Sequence, residues 1–308
     1  MKKIYLIPIV IFSAFLLILF VLYNRYAGYY EDEKINSYIS KNIEILNENI
    51  EFEKRYALSI SLFLSKNNKI KEALQKEDQA EALREIKNFL NELKKATGIN
   101  NIDIQIHTKE LKAFARSWER GGYLGKELSG FRKGLVLVKN SKKPFVSIEL
   151  GKRLNIKAIS PILDKEHNFI GSIEAIVGFQ NIKHRLRKFD LDILGLLDSK
   201  FIDIAVDIRD HKRIGGYYVV ENEYPKTLFD TLKKHLEIFK KQRPYYKIDG
   251  RIITTIPMRN VGIEDVGMIV LSMREGGSIN ILDVTNKKIE RENQNYTFDR
   301  KYRKVIIK

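Results

Sequence analysis

The side chains that could do chemistry in this chain form neither a catalytic nor a metal-binding pattern. Glu149 and Glu174 lie in strand-like segments, but no nucleophile accompanies them, so we expect structural roles. Five histidines are scattered along the chain without a pair at i and i+4: His107, His167, His184, His211 and His235. Cysteine is absent. We therefore expect no metal site, no cofactor, no disulfide and no enzymatic activity.

The segment from Gly121 to Lys126 has only a superficial likeness to a phosphate-binding loop. Its Gly-x3-Gly-Lys spacing is one residue short, and Glu127 stands where a Ser or Thr would hold magnesium. The formal charge of +16 would favour a nucleic-acid partner, but the basic residues are scattered among acidic ones. We expect no nucleic acid, and attribute the charge to a lysine-rich surface or to attraction for an anionic lipid or ligand.

A membrane span is predicted from Ile4 to Tyr23, a stretch without a charged side chain. At about 1.5 Å per residue it is long enough to cross a hydrocarbon core of roughly 30 Å. A cleaved signal would be shorter, and its only candidate cleavage site, Ala27, has Arg25 at the −3 position. Basic residues before the span predict that residues 1–3 are cytoplasmic. We therefore expect a single-pass protein of the bacterial inner membrane with its body in the periplasm.

A heptad repeat of apolar residues follows the span. Its members are Ile39, Ile43, Leu46, Ile50, Ala57, Ile60 and Leu64, with Glu53 interrupting one series. The pattern predicts a stalk helix from about Asp32 to Ser65, continuous with the membrane helix because Gly28 is the only weak point. The stripe could pack against the chain's own domains or against a second copy in a parallel homodimer. A second helix, Lys69 to Thr97, ends at Gly98 and completes the stalk region of residues 24–97.

The hydrophobic period then changes to 2, which indicates strands. Residues 98–180 contain predicted strands at Ile102 to Ile106, Phe145 to Leu150, Ile156 to Leu163 and Phe169 to Val177. Residues 181–276 repeat the order with a strand at Ile202 to Ile208, a helix at Pro225 to Lys241, a hairpin around Asp249-Gly250 and a strand at Val266 to Met273. Pro161 lies ten residues before Gly171, as Pro257 does before Gly267. The repeat predicts two related α+β modules.

Several segments of the first module resemble one subtype of a known sensor family. They are Phe114 to Trp118, Gly125 to Arg132, Lys143 to Gly151, Ile156 to Ile162 and Gly171 to Glu174. Together with the anchor, stalk and tandem modules, the chain from Asp32 to Arg274 resembles the double Cache sensors. These are PAS-like extracellular input domains, with antiparallel sheets, of bacterial chemoreceptors, sensor kinases and diguanylate cyclases. The resemblance implies that residues 98–180 form a membrane-distal module and residues 181–276 a membrane-proximal one.

The resemblance also implies where a ligand would bind. In the subtype, the stretch equivalent to Arg116 to Arg132 covers the sheet of the distal module, where Cache domains hold small ligands. The candidate ligand-binding residues are Arg116, Trp118, Tyr123, Arg132 and Lys157. Guanidinium groups bind carboxylates bidentately, and an indole can wall an amine or an aliphatic chain. The alternative is that Arg132 and Glu149 form a structural ion pair and that Trp118 is a core residue.

We therefore expect a sensor that binds a small anionic or zwitterionic ligand in the distal module. Arg132→Ala or Trp118→Ala is expected to abolish the response without unfolding the protein. The usual members return through a second membrane helix to a cytoplasmic effector, whereas this sequence ends at Lys308 after a tail, residues 277–308, that we expect to be flexible. We expect signalling through a separate protein. The alternatives are an envelope scaffold with a vestigial pocket, or a truncated chemoreceptor or sensor kinase.

Overall fold

The computed structural model describes residues 6–118, 123–240, 242–261, 264–276, 296–299 and 304–307. Its first element is a helix of 60 residues, α1 (Leu6–Ser65). The N-terminal part of α1 is long and apolar enough to cross a membrane. The prediction that span and stalk form one continuous helix through Gly28 is confirmed. The predicted cytoplasmic residues 1–3 lie outside the described residues.

The apolar stripe of α1 packs against the sheets of its own chain. Its buried members are Ile39, Leu46, Ile50, Ala57, Ile60 and Leu64. The first three belong to the core of the second module, and the last three to the core of the first. Glu53, which interrupts the stripe, is buried and forms an ion pair of 2.7 Å with Arg185. Of the two alternatives for the stripe, the structure shows packing within the chain.

Two helices, α2 (Asn68–Gln75) and α3 (Gln79–Thr97), replace the single second helix that was predicted. Glu77 has a φ of 57°, which ends the helical path. The Asp78 side chain then accepts a hydrogen bond of 3.0 Å from the backbone of the first turn of α3. Gly98 closes α3 with a φ of 73°, as predicted. The break could not be recognised in the sequence, because the residue types at positions 76–81 also occur commonly inside helices.

The first module contains the distal sheet, an antiparallel sheet in the order β2-β1-β5-β4-β3. Its strands are β1 (Ile102–Thr108), β2 (Ala113–Arg116), β3 (Phe145–Glu149), β4 (Asn155–Leu163) and β5 (Phe169–Val177). The four strands predicted from alternation are confirmed, whereas β2 was too short for its period to be recognised. Helix α4 (Lys133–Ser141) was also missed. One face of the sheet packs on α1, and α4 packs on the other.

The second module contains the proximal sheet, a six-stranded antiparallel sheet in the order β7-β8-β6-β11-β10-β9. Its strands are β6 (Leu191–Asp198), β7 (Arg213–Ile214), β8 (Tyr217–Val219), β9 (Tyr246–Ile248), β10 (Arg251–Arg259) and β11 (Asp265–Arg274). Two helices belong to this module. They are α5 (Gln180–Arg187), which precedes the sheet and contacts α1, and α6 (Lys226–Lys234), which packs on the sheet.

The predicted strand from Ile202 to Ile208 was wrong. The first strand of the module is β6, and residues 199–201 and 206–208 form short 3-10 turns. Ala205 and Ile208, three residues apart, are the buried members of this stretch, whereas Ile204 is exposed. The alternation of apolar and polar residues therefore led to a wrong prediction, because burial in this stretch follows the period of 3 of a 3-10 turn.

The helix predicted from Pro225 to Lys241 was too long. Helix α6 ends at Lys234, because His235 has a φ of −122° and leaves the helical conformation. A separate 3-10 turn follows from Leu236 to Lys240. The predicted hairpin is confirmed: Asp249 and Gly250 have φ angles of 49° and 71° and join β9 to β10.

The predicted repeat is confirmed by strand register. Pro161 pairs with Ser172 in the distal sheet, and Pro257 pairs with Met268 in the proximal sheet. Gly171 and Gly267, which follow these prolines by ten residues, each lie immediately before the paired residue on its strand. The two sheets therefore share one register at an offset of 96 residues.

A separate compact unit comprises residues 275–308. Within it, β12 (Tyr296–Asp299) pairs antiparallel with β13 (Lys304–Ile307). Apart from these two strands, the tail of residues 277–308 that was expected to be flexible lies outside the described residues.

The repeat glycines allow close strand packing, which generates a prediction. A Cβ atom on Gly267 would collide with the backbone oxygen of Leu196 in the neighbouring strand. We expect Gly267→Ala to lower the free energy of unfolding by about 1–3 kcal/mol, because the strands must separate. Urea denaturation measures this change. Gly216→Ala, where nothing lies within 4 Å, is the control and should change little. Equal losses in both variants would contradict the packing argument.

Candidate functional site

The distal cavity is a space of about 220 Å³ beside the α4 face of the distal sheet. Its lining residues are Gln105, Arg116, Trp118, Lys126, Glu127, Leu128, Phe131, Arg132, Lys152, Arg153, Asn155, Lys157, Ile176 and Asp207. Strands β1, β2, β4 and β5 supply its base. The segment of residues 126–132, which leads into α4, and the loop of residues 151–154 before β4 supply the rest. Only Asp207 comes from the proximal module.

Four of the five predicted ligand residues line the distal cavity, and Tyr123 does not. Tyr123 is buried, and its hydroxyl oxygen accepts hydrogen bonds from the backbone N–H of Arg116 at 3.2 Å and from Gln79 at 3.3 Å. The Arg116 guanidinium lies 5.1 Å from the centre of the Tyr123 ring and 5.4 Å from that of Trp118. Tyr123 therefore positions Arg116, while Trp118 and Arg116 face the cavity side by side.

Arg132 is the centre of a buried ion-pair network. Its guanidinium donates hydrogen bonds to the carboxylate of Glu174 and, at 3.3 Å, to that of Glu149. Glu149 also accepts a hydrogen bond of 3.0 Å from the backbone N–H of Gly134. Burial by itself lowers the pKa of Arg132, but the two carboxylates outweigh it and raise the pKa. The alternative stated for Arg132 and Glu149 is thus the observed geometry, with Glu174 as a second partner.

His107 extends this network while remaining neutral. Its Nε2 atom lies 3.7 Å from Glu174, and its Nδ1 atom lies 3.0 Å from the Ser172 hydroxyl. Burial, together with the nearby guanidiniums of Arg132 and Arg116, holds the pKa of His107 well below its ordinary value. A neutral imidazole can donate one hydrogen bond and accept another, so it adds no charge to the interior.

Lys157 is the buried cation without a carboxylate partner among the described residues. It is 3% exposed, and its ammonium group donates a hydrogen bond of 3.4 Å to the backbone oxygen of Arg153. Burial, and next the charge of Arg132, lower the pKa of Lys157 to about 7, against partial opposition from Glu174 and Glu149. The charge of this side chain is therefore sensitive to what occupies the cavity.

Three residues of the cavity wall carry buried polar atoms without a hydrogen-bond partner in the described part of the chain. These atoms are the indole Nε1 of Trp118, the Nε of Arg132 and the Oδ1 of Asn155. Two are donors and one is an acceptor. A buried polar atom without a partner costs about 1–3 kcal/mol, so a bound polar molecule would relieve this cost.

The charges of the wall favour a negatively charged occupant. Six lining residues are basic: Arg116, Lys126, Arg132, Lys152, Arg153 and Lys157. Two are acidic: Glu127 and Asp207. Among the described residues, no group of three histidine or acidic side chains could hold a metal ion. The arrangement can bind an anion by charge and by hydrogen bonding.

A sequence model of one family matches the chain over residues 34–271. The family is described as the double sensory domain of two-component sensor kinases. This chain belongs to the double Cache family. The match covers α1 beyond its membrane segment, the distal sheet and the proximal sheet up to β11. The double Cache resemblance drawn from the sequence is therefore confirmed.

Solved structures of sensor and ligand-binding domains are similar to the chain at low sequence identity. The sensor domain of the Vibrio cholerae histidine kinase DctB is 12% identical, with 77% of this chain and 96% of that chain covered and a TM-score of 0.47. The periplasmic domain of Vibrio cholerae LuxQ is 8% identical, with coverages of 76% and 99% and a TM-score of 0.43. The ligand-binding domain of the Pseudomonas fluorescens chemoreceptor CtaA is 12% identical, with coverages of 79% and 98% and a TM-score of 0.43. No curated protein sequence matches the chain.

The double Cache chain has further site residues that sequence reasoning missed. Gln105 and His107 are the polar members of the alternating strand β1, and alternation predicted that they face solvent. Both are buried, because α4 and residues 123–132 cover that face of the sheet. Asn155 and Arg153 were also missed. One signal in the sequence could have indicated a buried polar site. Polar residues occur on β1, and charged residues, Lys157 and Glu174, occur on later strands of the same sheet.

The ion-pair network generates a prediction about stability in this double Cache chain. Arg132→Ala would leave Glu149 and Glu174 buried without a cation, so we now expect it to lower the free energy of unfolding by roughly 3–5 kcal/mol. This replaces the expectation that the fold stays intact. Arg259→Ala is the matched control, because the pair of Arg259 with Asp265 is exposed and should contribute less than about 1 kcal/mol. Urea denaturation of both variants measures the difference, and similar losses would contradict a structural role for Arg132.

Proposed function

We propose that this chain is a membrane-anchored periplasmic sensor whose distal cavity binds a small anionic or zwitterionic molecule. The observation that carries the proposal is the set of unpartnered polar atoms of Trp118, Arg132 and Asn155 in a cavity with excess basic residues. A ligand carboxylate or other anionic group satisfies the two donors. An N–H or O–H group of the same ligand satisfies the Asn155 oxygen.

The size of the cavity restricts the ligand. Cavities for drug-sized ligands measure about 300–1,000 Å³, whereas this one measures about 220 Å³. A larger cleft of about 690 Å³ adjoins it, since both share Trp118, Arg153, Asn155 and Asp207 in their walls. The cleft is the proposed entrance. The chemoreceptors CtaA and PctC are described in complex with L-serine and with GABA, which are small zwitterions. The ligand class proposed for this chain rests on the cavity's own charges.

The proximal module lacks the polar groups that would make a second such cavity. Through the shared register, Lys157 and Glu174 correspond to Ile253 and Val270, at an offset of 96 residues. The strand partners Gln105 and His107 likewise correspond to leucines in β6, Leu194 and Leu196. All four of these proximal residues belong to one apolar cluster that also contains residues of α6. The same sheet position is thus polar in one module and closed by packing in the other, which supports ligand binding in the distal one.

A path from the cavity toward the membrane supports the sensory part of the proposal. The loop of residues 151–154 lines the cavity, and the backbone oxygen of Lys152 accepts a hydrogen bond of 3.1 Å from Asp207 in the proximal module. Tyr245, immediately before β9 of the proximal sheet, in turn donates a hydrogen bond of 3.0 Å to Asp32 of α1, near its membrane segment. A ligand changes this path only through different affinities for two conformations. The signal is proposed to reach a separate signalling protein through α1.

One observation favours the alternative, an envelope scaffold with a vestigial pocket. Both oxygens of Glu174 and one of Glu149 already engage the Arg132 guanidinium, so this arginine has only its Nε–H and one N–H of Nη1 left for a ligand. The sensor and the scaffold differ in one property: the distal cavity of a sensor binds a small molecule, and that of a scaffold does not. Arg116, Lys157 and Trp118 then carry the recognition in the sensor.

A direct binding experiment tests the sensor. Trp118 is the only tryptophan, so its fluorescence in the full chain in detergent reports on the distal cavity. We screen amino acids, organic acids, amines and purines, and expect responses from anions and zwitterions only. A ligand at 100 times its Kd should also stabilise the protein by about 2.7 kcal/mol in thermal unfolding. No response across the screen would support the scaffold.

A charge-changing variant locates the site. Asn155→Asp keeps the size of the side chain but places an anion in the cavity wall, so we expect at least a tenfold loss of affinity for any anionic hit. Asn140→Asp, at an exposed position of α4, adds the same charge outside the cavity and should bind like the wild type. An unchanged affinity in Asn155→Asp would place the binding site elsewhere.

A further inference from the structure

Lys157 is held in the distal cavity without a fixed counter-ion. It projects from β4 toward the cavity face of the sheet, where its strand neighbours are Ser147 and Ile176. Its ammonium group has a backbone oxygen at 3.4 Å and no ion pair among the described residues. The two nearby carboxylates, Glu149 and Glu174, are already bonded to Arg132.

The other charged and titratable groups around Lys157 come from every element of the cavity. They are His107 on β1, Arg116 on β2, Lys126 and Glu127 before α4, Arg132 at its start, Glu149 on β3, Lys152 and Arg153 in the loop, Glu174 on β5, and Asp207 from the proximal module. The guanidinium groups stay protonated in proteins at all ordinary pH values. His107 is buried as a neutral imidazole. Among the buried cations of the cavity, Lys157 alone can release its proton.

We propose that anion binding in the distal cavity is coupled to protonation of Lys157, so that the sensor responds to the anion and to pH together. This inference rests on the proposed function, because it assigns the same cavity to an anion. The bound anion is the counter-ion that the described residues do not supply. When one anion and one proton bind together, their charges cancel. The occupied cavity with a protonated Lys157 therefore has the same net charge as the empty cavity with a neutral Lys157.

The sign of the coupling follows from the pKa of Lys157. In the empty protein this pKa is about 7, so at higher pH the amine is mostly neutral. A bound anion favours the ammonium form and raises the pKa, so binding takes up a proton. Between the two pKa values the apparent Kd therefore rises by about tenfold per pH unit. Below about pH 6 the ammonium is already formed, and the Kd is independent of pH.

Methanesulfonate is a suitable probe because its own charge is constant over this range. We titrate it into the full chain in detergent at constant ionic strength between pH 6 and 9 and follow Trp118 fluorescence. Dimethyl sulfone, of similar shape but uncharged, is the control ligand. We expect the Kd for methanesulfonate to rise by about tenfold per unit above pH 7 in the wild type. Lys157→Met should bind more weakly, without pH dependence, and Lys143→Met, an exposed lysine of the same module, should match the wild type.

The outcomes separate the coupling from the site itself. Binding that is independent of pH in the wild type, or a pH dependence that persists in Lys157→Met, overturns the coupling and leaves the anion site standing. No fluorescence change with methanesulfonate at any pH, or an equal change with dimethyl sulfone, overturns the anion site and the coupling with it.

A measurement without ligand tests the same titration. The pKa of Lys157 is about 7 in the folded protein and 10.5 for an ordinary lysine, so between these values the unfolded chain binds more protons. The free energy of unfolding must then rise with pH over this window. Below the window, the buried ammonium destabilises the folded protein by its full amount. Relative to Lys157→Met, the wild type should gain stability from pH 7 to pH 9 in urea denaturation. A constant difference between the two proteins would show that Lys157 does not titrate there and would overturn the inference.

Discussion

The distal module depends on one buried interaction, the ion pairs of Arg132 with Glu149 and Glu174. The two carboxylates project from β3 and β5, on either side of β4, and Arg132 immediately precedes α4. The network therefore fixes the start of α4 on the sheet. Taking these charges out of water is expensive, and the geometry compensates only because the guanidinium and both carboxylates are used together. Without this attachment, residues 126–132 would not enclose a cavity.

The same attachment explains why the cavity is polar. An apolar cover would close the space by side-chain packing, as α6 does in the proximal module with Leu228 and Leu232. An arginine-centred network instead keeps Lys157 and His107 on the same face and leaves neighbouring polar atoms without partners. Specific polar groups in a low-dielectric space bind a complementary ligand strongly, because an unsatisfied group there is costly. The same strand register thus carries a polar cavity in one module and an apolar core in the other.

Helix α1 links these modules to the apolar segment at its own N-terminal end. Its stripe contributes to both cores, and the buried Glu53 is paired with Arg185 of α5 between them. A continuous helix bound to both sheets moves with them more readily than a flexible linker would. The loop of residues 151–154 adds a second connection, since it lines the cavity and also contacts Asp207. The distal module is therefore connected to the proximal module by two physical routes, α1 and this loop.

The sequence by itself determined the elements whose signals are local. A long charge-free run, a heptad stripe, alternating strands and an Asp-Gly turn each act over a few residues, and α1, the β9–β10 hairpin and the four predicted distal strands follow from them. It also determined the repeat, because the proline and glycine spacing recurs in both modules. It did not determine β2 and α4, whose segments are short or carry glycine, or the 3-10 turns at residues 199–201 and 206–208. Above all, it left open whether Arg132 binds a ligand or Glu149. That choice depends on Glu174, 42 residues later in the chain, and only the pairing of β3, β4 and β5 brings both carboxylates within reach of Arg132.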